Sequence, residues 1–383
     1  MTMTRPTNNL FCTIKTLMTH SFGPVLVLLA LASQQASAAD AQQPSDAAKA
    51  TTSEISTPVA TEAKSLPSQR AADTAICNVF RVRPQDEVWA VSTRCLSCPA
   101  GGIVDPNYAV WHYEGRQWIN SSTAQFHATS SPDVVTVFFI HGNRIDSGSA
   151  LQNGLDVYFQ MAGKFDAERP VRFVIWSWPS EQIHGPLKDV RIKAARTDVD
   201  ACYLARFLSR IDPSVPVGLV GYSYGARIIC GGLHVLGGGQ LIGHTIESGE
   251  RPPMRVALWA SAEHANWLAP GYYHGRALPM ADRWLITVNG CDPVLRRYHM
   301  LDKGGKPSAL GYAGLYGRNL ISQDMNRRVE EMNVSHLVGG THEMRPYLYS
   351  LPIQNRTRDY VLWYEPNALA ARAKRAELAT TAP

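Results

Sequence analysis

The sequence predicts an α/β fold with a mostly parallel central sheet, antiparallel strands at its N-terminal side and helices on both faces. From residue 134 onwards, apolar runs of strand length alternate with stretches of helical periodicity. The run at 134–140 is apolar throughout, as in a central strand that is covered on both faces. Before it, short aromatic and β-branched runs bounded by glycine indicate antiparallel strands.

The individual elements follow this pattern along the chain. The predicted strands cover residues 88–92, 108–113, 117–119, 134–140, 171–176, 215–220, 255–260, 284–288 and 329–337. A helix is predicted over 187–211, because apolar side chains recur at i, i+3, i+4 and i+7 from Leu204. The alternative is a dinucleotide-binding fold, but no G-x-G-x-x-G turn follows an early strand.

Residues 1–38 are predicted to be an export signal. Arg5 and Lys15 precede an apolar run at 22–32, and no acidic residue occurs in the segment. The run is shorter than the ~20 residues that a spanning helix needs, and residues 36–38 (Ala-Ser-Ala) have the pattern that signal peptidases cut. We therefore expect a periplasmic or extracellular protein with no stable membrane span after cleavage.

The rest of the chain divides by composition. Residues 39–72 carry almost no large apolar side chains, so they cannot offset the entropy of ordering and are predicted to be a disordered linker. A folded domain is predicted over 73–366, followed by a C-terminal tail at 367–383. The net charge is only +5 over 383 residues, and the Lys and Arg residues form no long stripe. The sequence therefore indicates no nucleic-acid partner.

The cysteines predict neither a metal site nor another cofactor. Cys95 and Cys98 form a C-x-x-C pair with Cys77 nearby, which favours a structural disulfide or free thiols over a redox motif or half a zinc site. No second pair stands at ligand spacing. Cys202 and Cys230 fall in predicted helices and are expected in the core.

The most informative segment is 221–225 (Gly-Tyr-Ser-Tyr-Gly), between a run of strand formers and a run of helix formers. Glycine two residues either side of Ser223 permits a sharp strand-to-helix turn, and the helix N-terminus beneath it favours developing negative charge. Ser223 is therefore a candidate nucleophile. A serine hydroxyl needs a base, and that base needs an orienting group.

Two carboxylates qualify as the orienting acid. Asp292 follows the strand at 284–288 in a loop with turn chemistry, and Glu263, the alternate, follows the preceding strand. Asp292 could instead serve only to cap the next helix, which is a common role for aspartate.

Three histidines follow Asp292 in the chain. His299 falls inside the helix predicted after Pro293, and His336, the alternate base, lies within the predicted last strand. His342 stands beyond that strand after a Gly-Gly-Thr sequence, where a loop can carry an imidazole over the sheet. His342 is the preferred base.

Acyl transfer also needs hydrogen-bond donors directed at the oxyanion. His141 and Gly142 directly follow the first buried strand, and Gly142 allows close approach of the backbone. The amides of Asn143 and Tyr224 are the predicted pair of donors. The His141 side chain is expected to pack and support the loop.

These segments resemble the α/β-hydrolase superfamily, specifically a group of uncharacterised exported esterase/lipase-like members. The resemblance covers roughly residues 85–350 and rests on 140–143 (Ile-His-Gly-Asn), 176–180 (Trp-Ser-Trp-Pro-Ser) and the serine segment. It implies Ser223 as nucleophile, Asp292 as acid and His342 as base. It also implies the amides of Asn143 and Tyr224 as the oxyanion hole.

The chain departs from many such relatives at two positions. Tyr222 stands where many have His, and Tyr224 stands where many have Met or Gln. Because an aromatic ring beside the oxyanion hole would narrow the acyl pocket, the departure bears on substrate choice. Six aromatic residues are interpreted as cleft lining or core: Trp176, Trp178, Trp259, Trp267, Tyr272 and Tyr273.

The predicted function is hydrolysis of a small-molecule carboxylic ester through an acyl-enzyme, without a cofactor. The same chemistry cleaves thioesters, amides and peptides, and the sequence does not distinguish among these substrate classes. The alternative in a different class is a catalytically inactive hydrolase-fold protein that serves as a binding or scaffold module of the cell envelope.

Overall fold

The structure, a computed structural model, describes residues 82–98, 105–163, 169–247, 249–300 and 306–363. The predicted signal at 1–38, the linker at 39–72 and the tail at 367–383 lie outside these residues, as does Cys77. Within the described ranges, no helix is both long enough and apolar enough to cross a membrane.

Nine strands of the described chain form one sheet. In chain order they are β1 (Glu87–Ser92), β2 (Ala109–Glu114), β3 (Gln117–Ser121), β4 (Val135–Ile140), β5 (Val171–Ser177), β6 (Val217–Tyr222), β7 (Met254–Trp259), β8 (Arg283–Val288) and β9 (Val329–Asn333). Their order across the sheet is β3-β2-β1-β5-β4-β6-β7-β8-β9. Strand β2 is antiparallel to β1 and β3, and every other neighbouring pair is parallel.

Helices pack on both faces of this sheet. They are α1 (Thr123–Ala128), α2 (Ser147–Tyr158), α3 (Pro186–Leu208), α4 (Tyr224–Leu236), α5 (Leu310–Ala313), α6 (Gln323–Arg328), α7 (Ser335–Val338), α8 (Met344–Tyr349) and α9 (Leu351–Val361). On β5, the side chain of Ile175 fills the space beside Gly154 of α2, and the next residue, Trp176, contacts Phe207 of α3. Since successive strand residues point to opposite faces, α2 and α3 lie on opposite sides of the sheet. This is the α/β-hydrolase fold, and the predicted fold class is confirmed.

The central strands of the sheet are buried on both faces, as the sequence predicts. Every residue of β4 and β5 is buried. Covered on both faces, such strands need no alternation of polar and apolar side chains. Because β4, β6, β7, β8 and β9 run parallel, their carboxyl ends lie along one edge of the sheet. The loops at this edge can bring distant residues together.

The last strand is shorter than predicted, and the placement of His336 in it is wrong. Strand β9 ends at Asn333, and His336 lies in the short helix α7. The side chain of Asn333 accepts a hydrogen bond from the amide of Ser335 at 3.0 Å. Such a local turn gives the backbone an alternative to the sheet ladder and ends the strand.

Two glycines permit the turn from β6 into α4. A Cβ at Gly221 would lie 2.6 Å from Cα of Ala226, and a Cβ at Gly225 would lie 1.9 Å from the carbonyl oxygen of Ile140. Neither contact leaves room for a side chain. The first turn of α4 therefore lies directly against the end of β4.

We expect Gly225→Ala to lower the free energy of unfolding by about 3 kcal/mol or more, because the added methyl group overlaps backbone that cannot move alone. Urea unfolding monitored by tryptophan fluorescence measures the loss. The matched control is Gly148→Ala in α2, where a Cβ would meet its nearest atom at an ordinary 3.4 Å. Equal midpoints for the two variants would contradict the close approach.

Candidate active site

Ser223 occupies the turn between β6 and α4 in a conformation that is rare for a side-chain-bearing residue. Its φ is 54° and its ψ is −115°. Backbone strain of this kind persists only where the surroundings hold it. Here the amide of Ser223 donates to the carbonyl of Trp259 at 2.9 Å, and its own carbonyl accepts from the amide of Ala226 at 3.1 Å. The residue is only 6% exposed.

The structure brings Ser223, His342 and Asp292 together in a chain of two hydrogen bonds. Oγ of Ser223 lies 2.9 Å from Nε2 of His342, and Nδ1 of His342 lies 2.7 Å from Oδ2 of Asp292. With the ring proton on Nδ1 donated to the carboxylate, Nε2 is left as the acceptor for the serine hydroxyl. The His342 side chain is 17% exposed, whereas the Asp292 side chain is fully buried.

The two carboxylate oxygens of Asp292 make different contacts, one with backbone amides and one with His342. Oδ1 accepts hydrogen bonds from the amides of Val294 and Leu295, both at 2.9 Å, at the start of the 3₁₀ helix Leu295–Met300. Oδ2 faces His342. Capping and orientation of the imidazole are therefore compatible, because a carboxylate has acceptor sites enough for both.

The loop that carries His342 is held at two carbonyl groups. The side-chain amide of Asn289 donates to the carbonyl of Gly339 at 2.9 Å. The hydroxyl of Tyr222 donates to the carbonyl of His342 itself. Gly339 has a φ of 72°, a conformation that glycine adopts at little cost.

The loop after β4 lies beside Ser223 on the other side. A Cβ at Gly142 would lie 2.9 Å from Cδ1 of Tyr222 and 3.2 Å from Cβ of Ser223. The amide of Asn143 follows in this loop, and the amide of Tyr224 opens α4. Neither amide donates to a protein acceptor within the described ranges. Free N–H groups at a helix N-terminus form a site for negative charge.

A buried carboxylate fixes the position of the Gly142–Asn143 loop. Asp189, at the start of α3, accepts from the side-chain amide of Asn143 at 3.2 Å and from Nε of Arg144 at 3.0 Å. It also accepts from the amide of Ile183 at 3.1 Å. One fully buried side chain thus joins the loops after β4 and β5 to α3.

The segment at 176–180 supports the same loop. The indole N–H of Trp178 donates to the carbonyl of His141 at 2.8 Å, and the carbonyl of Ser180 accepts from the amide of Arg144 at 2.8 Å. Trp178 and Ser180 thus each hold a residue of the loop after β4.

His141 is a structural residue. Its ring stacks on Trp178 with an interplanar angle of 13°, and Nδ1 donates to the carbonyl of Gly142 at 2.9 Å. Nε2 accepts from the amide of Trp178 at 3.3 Å. Burial lowers the pKa of His141 to about 3, so the ring stays neutral and keeps this pattern of donor and acceptor.

Glu263, the alternate acid, lies in a different cluster. Its Oε2 is 2.9 Å from Nδ1 of His274, and both side chains are fully buried. Burial raises the pKa of Glu263 to about 8 and lowers that of His274 well below its usual range, so the pair is neutral, with the carboxyl group donating to the imidazole. The structure joins His342 to Asp292, and it joins neither His336 nor His299 to Ser223 within the described ranges.

The aromatic residues divide between the core and the surface. Trp176, Trp178 and Trp259 are completely buried, whereas Tyr272 and Tyr273 are exposed. The hydroxyl of Tyr224 donates to the carbonyl of Val190 at 3.0 Å, which turns this side chain toward α3. The two tyrosines that flank Ser223 thus contact different parts of the protein.

The described cysteines carry no disulfide. Cys95 and Cys98 are exposed free thiols, and Cys202 and Cys230 are buried in α3 and α4 as predicted for core residues. Across the described ranges, no group of three His, Cys, Asp or Glu side chains could hold a metal ion.

Sequence reasoning missed the roles of Asp189, Asn289 and Tyr222. In the sequence, Asp189 is an ordinary acidic residue of a helix first turn, and Tyr222 indicates only a departure that bears on the acyl pocket. The signal for these roles is the presence of irregular loops beside the site, because buried loop backbone requires polar side chains as hydrogen-bond partners.

Comparison with known proteins reveals only distant similarity. No family model and no curated protein matches the sequence. Among solved structures, a cutinase-like protein from Cryptococcus sp. is 14% identical over 60% of this chain and 93% of its own, with a TM-score of 0.30. An acetyl xylan esterase is 15% identical over 60% and 100%, with a TM-score of 0.28, and a lipase-esterase related protein from Clostridium acetobutylicum is 12% identical over 60% and 93%, with a TM-score of 0.25. Likenesses this weak carry no argument about the activity of this chain.

The Glu263–His274 pair makes stability depend on pH. The pKa of Glu263 is raised from 4.5 to about 8, so between these values the folded protein holds a proton that the unfolded chain releases. Below the ordinary histidine pKa of 6.5, the unfolded chain also binds a proton on His274 that the folded protein does not hold, and this offsets the release from Glu263. Stability is therefore expected to fall as the pH rises from about 6.5 to about 8. Glu263→Gln, which stays neutral and can still donate to His274, should flatten the decline.

Thermal unfolding midpoints measured from pH 5 to pH 8 test this expectation. Glu247→Gln removes an exposed carboxylate of the same size and should keep the slope of the unchanged protein. If Glu263→Gln keeps that slope as well, Glu263 is not the group that holds the proton.

Proposed function

We propose that this chain is a serine hydrolase that cleaves carboxylic esters through an acyl-enzyme. Ser223 is the nucleophile, His342 the general base and acid, and Asp292 the group that orients His342. The observation that carries the proposal is the chain of hydrogen bonds of 2.9 and 2.7 Å that ends on a serine in a strained turn. Strain of this kind at a polar side chain is typical of functional sites.

Acylation begins when Oγ of Ser223 attacks the ester carbonyl carbon while its proton passes to Nε2 of His342. Asp292 stabilises the imidazolium that forms, and its buried position keeps that interaction strong. The tetrahedral intermediate then collapses, the bond to the alcohol oxygen breaks, and His342 returns the proton to the departing alcohol. Ser223 is left as an ester of the acyl group.

The amides of Asn143 and Tyr224 are the donors proposed for the oxyanion. Both lack a protein acceptor in the described part of the chain. Tyr224 directly follows Ser223, and Asn143 directly follows Gly142, whose backbone lies against Ser223. The N-terminus of the 13-residue helix α4 adds to the positive potential. A donor that is fixed before the charge develops is worth about 3 kcal/mol in the transition state.

Deacylation reverses the roles with water in place of the alcohol. His342 takes a proton from the water, the water oxygen attacks the acyl carbon, and Ser223 leaves with the proton that His342 returns. The products are a carboxylic acid and the free enzyme. No step requires a cofactor, and thioesters and amides are cleaved by the same sequence of steps.

We also propose that the enzyme acts outside the cytoplasm on a small-molecule ester. Action outside the cytoplasm is supported by the pattern of residues 1–38, where a basic start, a short apolar run and a small-x-small site follow one another.

Ser223→Ala is expected to lower kcat for p-nitrophenyl butyrate by at least about 10⁴-fold, because the remaining groups cannot form an acyl-enzyme. The matched control is Ser209→Ala, which removes a hydroxyl bonded to the carbonyl of Arg206 at the end of α3. That control should keep full activity. Turnover that survives Ser223→Ala would contradict the proposal.

A fluorophosphonate probe separates an enzyme from an inactive hydrolase-fold scaffold. Mass spectrometry should find one phosphonate on Ser223 in the unchanged protein and none in the Ser223→Ala variant. Folded protein that is not labelled, although its urea midpoint is normal, would favour the scaffold.

A further inference from the structure

Tyr222 is the last residue of β6 and makes contacts that the chemistry above does not use. Its backbone leads directly into Ser223, yet its side chain reaches the loop after β4 and the loop between α7 and α8. These three segments carry the nucleophile, an oxyanion donor and the base. One side chain therefore touches both loops that must be placed against the serine.

The ring of Tyr222 lies against the backbone of Gly142. A Cβ at Gly142 would stand 2.9 Å from Cδ1 and 3.0 Å from Cε1 of this ring, so the contact exists only because residue 142 has no side chain. The distance between the ring and the loop is thereby fixed by van der Waals contact. Asn143, the proposed donor, is the next residue.

The hydroxyl of Tyr222 donates to the carbonyl of His342. His342 precedes Glu343, the N-cap residue of α8, so its carbonyl lies outside the hydrogen-bond ladder of that helix. Tyr222 supplies a donor to this carbonyl from another part of the chain. The same ring lies beside the imidazole of His342, with centroids 5.6 Å apart and an interplanar angle of 32°.

Burial keeps this phenol a donor. The pKa of Tyr222 is raised well above its ordinary value, chiefly because the ring is removed from solvent, so the hydroxyl stays protonated throughout the range in which an esterase is assayed.

We infer that Tyr222 is a positioning residue, a strut that holds the base-bearing loop at a fixed distance from the oxyanion loop and from Ser223. The inference rests on the proposed function. For Tyr222 it replaces the expectation that an aromatic ring beside the oxyanion hole narrows the acyl pocket, because the contacts of Tyr222 are with protein backbone and with the base. Its hydroxyl touches no reacting atom, and it acts through the placement of His342.

Tyr222→Phe tests the strut, because it removes the hydroxyl and keeps the ring against Gly142. We expect kcat to fall about 10- to 100-fold with KM changed less than about 3-fold, since a displacement of the base by about 1 Å costs that much in rate. The loss should be the same for p-nitrophenyl acetate, butyrate and hexanoate. A pocket role would instead change KM and the order of preference among these esters.

The matched control is Tyr108→Phe. Tyr108 is a buried tyrosine whose hydroxyl also donates to a carbonyl, that of Tyr203 at 2.8 Å, but it lies at the other side of the sheet. It should lose a similar amount of stability in urea and keep the kcat of the unchanged protein. If Tyr222→Phe does not fold, Tyr222→Met, which fills the space without a donor, is measured with the same expectation.

The outcomes separate the two proposals. If Ser223→Ala abolishes turnover while Tyr222→Phe matches Tyr108→Phe in kcat, the strut is wrong and the proposed function stands. A loss expressed in KM or in chain-length preference also overturns the strut. If Ser223→Ala keeps its turnover, the proposed function itself has failed, whatever Tyr222→Phe does.

Discussion

The contact between the first turn of α4 and the end of β4 is the constraint on which the site depends. It requires glycine at 225, because a Cβ there would overlap the carbonyl of Ile140. The residues after Ile140 are the loop that holds Asn143, so the same contact brings that loop beside the helix N-terminus. The turn at Ser223, the free amide of Tyr224 and the loop after β4 are consequences of one close approach between a helix and a strand.

Around this contact, irregular backbone is held by single buried polar side chains. Asp189 holds the loop after β4, and Asn289 and Tyr222 hold the loop between α7 and α8. Trp178 connects the segment after β5 to His141. An irregular loop leaves peptide groups without partners in a sheet or helix, and burying them unpaired costs free energy. The polar side chains that satisfy those groups therefore also determine where the loops lie.

The sheet and the order of the site residues could be predicted because both depend on local sequence patterns. Apolar runs mark β4 and β5, glycines mark the turn around Ser223, and Asp292 and His342 each follow a predicted strand. Local sequence patterns do not show which side chains, distant along the chain, come into contact in the fold. Tyr222 and the carbonyl of His342 are 120 positions apart, and Asn143 and Asp189 are 46 apart.

The environment of Glu263 and the end of the last strand escape prediction from sequence for the same reason. Glu263 follows a strand just as Asp292 does, but the tertiary fold buries it beside His274, and this burial raises the pKa of its carboxyl group. The strand predicted to run through His336 ends early because one side chain, that of Asn333, bonds to the backbone two residues later. Both outcomes depend on the contacts of a particular side chain, which hydrophobic periodicity does not record.

The two oxygens of the Asp292 carboxylate have different hydrogen-bond partners, and this limits which other residues can occupy the position. An asparagine has one acceptor oxygen and one NH₂ group, and the amides of Val294 and Leu295 would claim the oxygen. The NH₂ group would then point at His342 and offer a proton where the ring now gives one. The imidazole would have to move its hydrogen to Nε2, which leaves the ring with no lone pair facing the alcohol of Ser223. A substitution that preserves shape and capping would thus leave the ring in the tautomer that cannot accept a proton.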